Sequence, residues 1–480
     1  MQMQAERKTL ELRASICRRS SRHRLKGDCR STVNRQRICG RFLRTLTNRE
    51  GIIMGGSTMR KEMGWKKAGG FVLALFFVVA AGCGANGGTE EPTVTPSGTL
   101  ERQATPSWTD YLSEEDMQVA SPWKVIDNTA LAAVMKKAEA GEPVTIACIG
   151  GSITQGSISS GPLDGEIKKR ACYADIFFAW WKETFPETEV TVINAGIGGT
   201  DSYLGVHRVQ EDVLTHHPDL VLVEYSVNDG DNISYKNSYD NLVRRILKAE
   251  GQPAVMLLFM AQTNLTTAQN THQLIGFNYG LPMVSHYNLI KNFFENGRYT
   301  EAEMSGDVSH PSVFGHAIVG EMLWKYLNNV YVQLDTYGEP AAFDKNALTK
   351  ERYLNSELVG VEDITPKTTG TFTEKENFNG WGTVWSSTDG DGNIVFTVKC
   401  RNLGILFWRS TSSSFGTYEV YVDGEYKADL QAEFLDGWGA YAYSQEVFTS
   451  NEEAEHVVML KKKAGSAGDD FVLLRLMLSH

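Results

Sequence analysis

The chain has 480 residues, 42% of them hydrophobic and 22% charged, which suits a folded protein of two or three units and excludes a disordered chain. Its net charge of −11 is unevenly spread: residues 1–53 carry 14 Lys/Arg against 4 Asp/Glu, so the remainder is strongly acidic. An acidic body leaves no basic surface for phosphates and excludes nucleic acid as a partner.

Residues 1–58 are basic, lack a hydrophobic period and hold three cysteines (Cys17, Cys29, Cys39). They are expected to be a start-site artefact, with translation beginning at Met54 or Met59. The N-terminal residue of the native precursor is the check. Residues 59–83 have the order of a secretory signal: Arg60, Lys61, Lys66 and Lys67, then an apolar run over 71–81, then small residues. The run is too short for a comfortable transmembrane helix, which needs about 20 residues. Ala80-Ala81-Gly82-Cys83 resembles a bacterial lipoprotein lipobox, which implies cleavage before Cys83, a lipid on its thiol and an exported protein on the membrane's outer side; the alternative is an ordinary signal peptide with a chance cysteine and a secreted protein. Residues 84–107, rich in Gly, Thr and Pro, read as a flexible tether.

Over 108–340 helical and strand patterns alternate. Helices are predicted at 128–141, 171–185, 202–214, 239–250 and 312–327. Short apolar runs predict strands at 144–150, 190–195, 220–225, 254–260 and 283–286. Continuous apolar strands between helices indicate a parallel sheet covered on both faces, with its site at the carboxyl ends of the strands. Over 341–480 the pattern becomes seven short strands, at 393–399, 404–408, 418–422, 425–430, 441–448, 456–460 and 471–478. This predicts a β-sandwich. Cys148, Cys172 and Cys400 match neither a zinc site nor a disulfide ladder and read as small buried apolar residues.

Four blocks carry chemistry, three at predicted strand ends and the last before the helix at 312–327. Gly150-Gly151-Ser152 follows the first strand directly. It is not a phosphate loop, because Ser157 stands where the lysine after Gly156 is required. Nor is it the Gly-x-Ser-x-Gly elbow, because Thr154 replaces the last glycine. Gly196-Ile197-Gly198-Gly199-Thr200-Asp201 ends the second strand, and Asp201 breaks a dinucleotide fingerprint there. Asn228 ends the third. Asp307 and His310, three apart in a turn, allow the carboxylate to meet imidazole Nδ1 and leave Nε2 for a serine.

Together, in this order, the blocks resemble the SGNH/GDSL hydrolase family. Ser152, Gly199, Asn228, Asp307 and His310 stand at that family's marked positions. Gly151 replaces the usual Asp before the serine, and Ser226 a usual Gly. The resemblance implies a flavodoxin-like three-layer α/β/α fold and ester hydrolysis without metal or cofactor. Ser152 would be the nucleophile, His310 the base and Asp307 its orienting acid. The amides of Ser152 and Gly199 and the Asn228 side chain would form the oxyanion hole. Asp229 is a candidate for substrate hydroxyls. Trp381 and Trp438, each in a Gly-rich turn, are candidates for stacking on sugars. Family members with a similar appended sandwich include carbohydrate deacetylases, so the expected substrate is an acylated carbohydrate or another small ester. The rival readings are a lipase or lysophospholipase, an acetyl transferase, and a surface glycan-binding protein with a vestigial site.

Overall fold

In the computed structural model, residues 102–163, 171–390 and 392–480 are described. The leader, the signal segment with Cys83 and most of the expected tether lie outside them. The tether was expected to reach residue 107, but the chain is already held at Arg102, which pairs with Glu139 and Asp335. The Thr105 carbonyl accepts from Trp324 Nε1 and Asn328 Nδ2, each at 2.9 Å. Buried Glu321 then takes donors from Thr109, Tyr111 and Leu112. A buried carboxylate needs such partners, and this short polar stretch supplies them.

The first sheet is parallel, in the order β2-β1-β3-β4-β5. Its strands are β1 (Val144–Gly150), β2 (Val190–Gly196), β3 (Leu220–Glu224), β4 (Ala254–Phe259) and β5 (Met283–Ser285). This is the flavodoxin-like order that the family resemblance implies, on the parallel sheet expected from the alternating pattern. The helices are α1 (Glu114–Ala120), α2 (Thr129–Glu139), α3 (Ser152–Gln155), α4 (Tyr173–Thr184), α5 (Ser202–Asp212), α6 (Ile233–Leu247), α7 (Gln269–Tyr279), α8 (His286–Asn296), α9 (Glu301–Met304) and α10 (Val313–Tyr331). Successive strand residues face opposite layers. Ile146, Cys148, Leu220, Leu222, Met256 and Leu258 join one core, with α1, α2, α4, α8 and α10. Ala147, Ile149, Val221, Val223, Val255 and Leu257 join the other, with α5, α6 and α7. Cys148, Cys172 and Cys400 are buried free thiols. Among the described residues no helix is long and apolar enough to cross a membrane.

The second sheet is antiparallel apart from isolated bridges, with path β11-β10-β12-β9-β13-β8-β7, and β6 pairs with β13. Its strands are β6 (Ser356–Gly360), β7 (Thr373–Lys375), β8 (Val384–Ser387), β9 (Asn393–Arg409), β10 (Thr417–Val422), β11 (Glu425–Gln431), β12 (Tyr441–Lys462) and β13 (Phe471–Ser479). Two pairs of expected short strands are single long ones. β9 runs 17 residues across 400–403, and β12 runs 22 residues across 449–455. The pairing of β12 with β9 shifts register near Glu446/Phe448 and Thr449/Ala454. Such bulges bend a strand without ending it, so each expected pair of short strands is one continuous strand.

The sandwich shares a core with the parallel-sheet layer. Along β13, Phe471, Leu473, Leu476 and Leu478 face the sandwich interior. Val472, Leu474 and Met477 join the cluster under α5 and α6. Leu474 is fully buried. Leu474→Ala is expected to cost about 2–5 kcal/mol, as buried Leu truncations do, and to lower one common unfolding transition. A calorimetric trace in which only a separate sandwich transition shifts would contradict the shared core.

Candidate active site

Parallel pairing aligns Gly150 with Gly196 and with Glu224, so the carboxyl ends of β1, β2 and β3 share one edge. Ser152 opens the four-residue helix α3 at that edge. The carbonyls of Gly151 and Ser152 accept from the amides of Gln155 and Ser157 at 3.0 and 2.9 Å, closing a tight turn. Buried Arg208 braces the turn from below. It donates to the Gly150 carbonyl at 3.1 Å and to Tyr225 Oη at 2.8 Å, and pairs with Asp212.

Ser152 Oγ lies 3.0 Å from His310 Nε2. His310 Nδ1 lies 3.0 Å from Asp307 Oδ2. Asp307 Oδ1 accepts the backbone amides of Ser309 and His310, each at 2.7 Å. Partial burial works to raise the Asp307 carboxyl, but the amide and imidazole of His310 and the Ser309 amide outweigh it and hold the group below the usual carboxylate range. The loop is fastened to the serine's side of the site. The Gly306 amide donates to Ser159 Oγ at 2.6 Å, and the Ser159 amide to the Pro311 carbonyl at 3.1 Å. His316 adds a second tie: its Nδ1 accepts the Tyr173 amide, which leaves Nε2–H to donate to the Ser157 carbonyl.

Gly199 and Asn228 lie beside the serine. A Cβ on Gly198 would stand 3.8 Å from Ser152 Cβ, and one on Gly151 would stand 2.6 Å from Asn228 Oδ1. The second distance accounts for glycine before the serine: the Asn228 side chain occupies the space. Gly199 has φ +73, and a Cβ there would meet Tyr441 at 2.8 Å and Trp438 at 3.1 Å. Both rings come from the sandwich. They lie 4.6 Å apart at 31°, and Trp438 is 69% exposed. Arg409 sits over the rings of Phe434, Tyr441 and Tyr443 and donates to Tyr441 Oη at 3.1 Å. These aromatics were missed in the sequence, although Tyr441-Ala442-Tyr443 has the period-2 spacing that places both tyrosines on one strand face.

Two candidate substrate residues are engaged in packing. Asp229 is buried, takes the Ser202 amide at 2.9 Å and meets His272 Nε2 at 3.0 Å, with His272 stacked on Tyr239. Burial pushes this carboxyl up to about 8 and the imidazole down to about 3. Trp381 is half-buried, packs on the shared core and gives its carbonyl to Arg475, so it does not join the aromatic pair at Gly199. Asp201, read in the sequence only as a broken fingerprint, proves central. It caps α5 through the Leu204 amide at 3.0 Å, and burial followed by the charge of Asp229 pushes its carboxyl up to about 6.

Residues 148–318 match the model of the GDSL-like lipase/acylhydrolase family. The chain is also similar to the crystal structure of a two-domain esterase (CEX) active on acetylated mannans. That match has 30% identity, a TM-score of 0.67, and covers 76% of this chain and 98% of the other. The same esterase co-crystallised with mannopentaose matches at 30% identity and a TM-score of 0.66, covering 76% of this chain and 97% of the other. No curated protein matches.

Proposed function

The chain belongs to the GDSL-like lipase/acylhydrolase family and is a carboxylic ester hydrolase, and from that premise we propose that it removes O-acetyl groups from carbohydrates, with Ser152 as nucleophile. The hydrogen-bonded line from Ser152 through His310 to Asp307 carries this reading. His310 takes the Ser152 proton as Oγ attacks the ester carbonyl. Asp307 holds the imidazole tautomer and stabilises the imidazolium. The amides of Ser152 and Gly199 and the Asn228 side chain receive the oxyanion. His310 then protonates the departing alcohol, and water, activated by His310, releases acetate from Ser152.

The alcohol half is argued from the sandwich. Trp438 presents an exposed ring beside Gly199, where a sugar face can stack. The similar esterase acts on acetylated mannans, and acetylated polysaccharide is proposed for this chain by that likeness. The test is acetate release from a panel of acetylated polysaccharides. Release that Ser152→Ala abolishes supports the reading; cleavage confined to long-chain esters overturns it. Trp438→Ala is expected to raise KM for an acetylated oligosaccharide about tenfold, in line with the loss of one ring contact, and to leave hydrolysis of ethyl acetate nearly unchanged. An equal loss on both esters would remove the ring from sugar binding.

We also place the enzyme outside the cell, anchored through lipid on Cys83. Incorporation of labelled palmitate, lost in Cys83→Ser, checks this; incorporation that persists in the variant overturns it.

A further inference from the structure

The helix that follows Gly199, α5, is gripped by the C-terminal unit. Ser444 Oγ donates to Asp201 Oδ1 at 3.2 Å. The Tyr235 hydroxyl donates to Asp201 Oδ2, also at 3.2 Å. Tyr203 lies against Gly404, where a Cβ would stand 2.3 Å from its hydroxyl. The Val206 carbonyl accepts from Ser356 Oγ at 3.0 Å, and Ser479 meets His207 Nε2 at 3.4 Å. On the loop before the helix, Tyr441 and Trp438 cover Gly199 itself.

The contacts to Asp201 and α5 hold the end of the loop that carries Gly199, whereas Trp438 is the exposed ring offered to a sugar. Side chains anchor the loop from Gly196 to α5 along its length: Asn194 Oδ1 accepts the Gly196 amide at 3.0 Å, Thr200 Oγ1 donates to the Ile197 carbonyl at 2.7 Å, and the Asp201 carboxylate caps α5. The last is shared with the sandwich. Oxyanion donors act by being held in place before charge develops, so a loose anchor is felt in the rate.

We infer that the sandwich is a working part of the oxyanion hole, with Ser444 a positioning residue that sets the Gly199 amide through Asp201. The inference rests on Ser152 as nucleophile and Gly199 as oxyanion donor. It differs from a sugar-holding role because it acts on the acetyl-enzyme, from which the alcohol has already departed. In that step water adds to the acetyl carbonyl as His310 takes a proton. The bond to Ser152 Oγ then breaks, the proton passes to Oγ, and acetate leaves.

The experiment acetylates the full chain with 4-nitrophenyl acetate and follows loss of the acetyl group from Ser152 by rapid-quench mass spectrometry. Ser444→Ala is expected to slow deacylation at least about fivefold, the scale of one lost hydrogen bond, with an unchanged unfolding midpoint. Ser444→Asp, which sets a second carboxylate against Asp201, slows it further. Ser444→Thr, which keeps the hydroxyl, restores it to within about twofold. Deacylation at the parental rate in Ser444→Ala, with Ser152 acetylated normally, overturns the inference alone. No acetyl group on Ser152 in the parent overturns the nucleophile reading and the inference together.

Discussion

Ser152→Ala is expected to fold as the parent does and to turn over 4-nitrophenyl acetate at least about 10⁴-fold more slowly, as nucleophile loss does in serine hydrolases. The site gives no substitute. The nearest hydroxyls in the turn, Thr154 and Ser157, are otherwise placed: Thr154 Oγ1 meets Tyr173 Oη at 2.7 Å inside the core, and Ser157 lies past the end of α3. His310→Ala is expected to cost a similar factor, and the double variant little more than either, because nucleophile and base act as one unit. A Ser152→Ala enzyme within about tenfold of the parent would end the covalent mechanism, since no side chain lost from an acyl-transfer centre costs so little.

Asn228→Ala is expected to lower kcat by about 10²–10³ with little change in KM, the usual result of removing one oxyanion donor. Gly151→Ala should approach the same loss by another route. Its Cβ would stand 2.6 Å from Asn228 Oδ1, too close to tolerate, and the amide would be pushed from the serine. The two substitutions should therefore not add in a double variant, since one already removes what the other displaces. Additive losses would show that Gly151→Ala acts elsewhere, on the serine turn itself. Steady-state kinetics on one short ester decide both points.

Four strands of the first sheet, β1, β3, β4 and β5, were legible because each is buried on both faces, while β2 at the sheet edge is only partly buried. Five-to-seven-residue apolar runs such as Leu220–Glu224 have no other stable reading between helical stretches. The helix at Gln269–Tyr279 was not read because it carries many polar residues and a weak apolar stripe, and the one at His286–Asn296 was missed although Leu289, Ile290 and Phe293 form a buried stripe on it. In the sandwich the strands from β9 onward were found but not their continuity, and the short strands β6, β7 and β8 were not read. Polar residues in the middle of β12, such as Asn451, Glu452 and Glu453, look like a turn. They are solvent-facing residues at a bulge, and a hydrophobic pattern does not separate the two.

By itself the sequence determined the parallel sheet and four polar blocks, three at strand ends and one, with Asp307 and His310, before a helix. Local chemistry marked the blocks, with a serine after strand-end glycines and an Asp and His three apart in a turn, and the family resemblance picked out Gly199 and Asn228 within them. Only the tertiary structure decided that Asp229 faces His272 inside the protein, that Trp381 is a packing residue, and that Trp438 and Tyr441 close over Gly199. It alone joined Ser444 to Asp201, residues 243 apart in the chain. Contacts between distant segments depend on how two layers pack across a shared core, and no spacing along the chain encodes that distance.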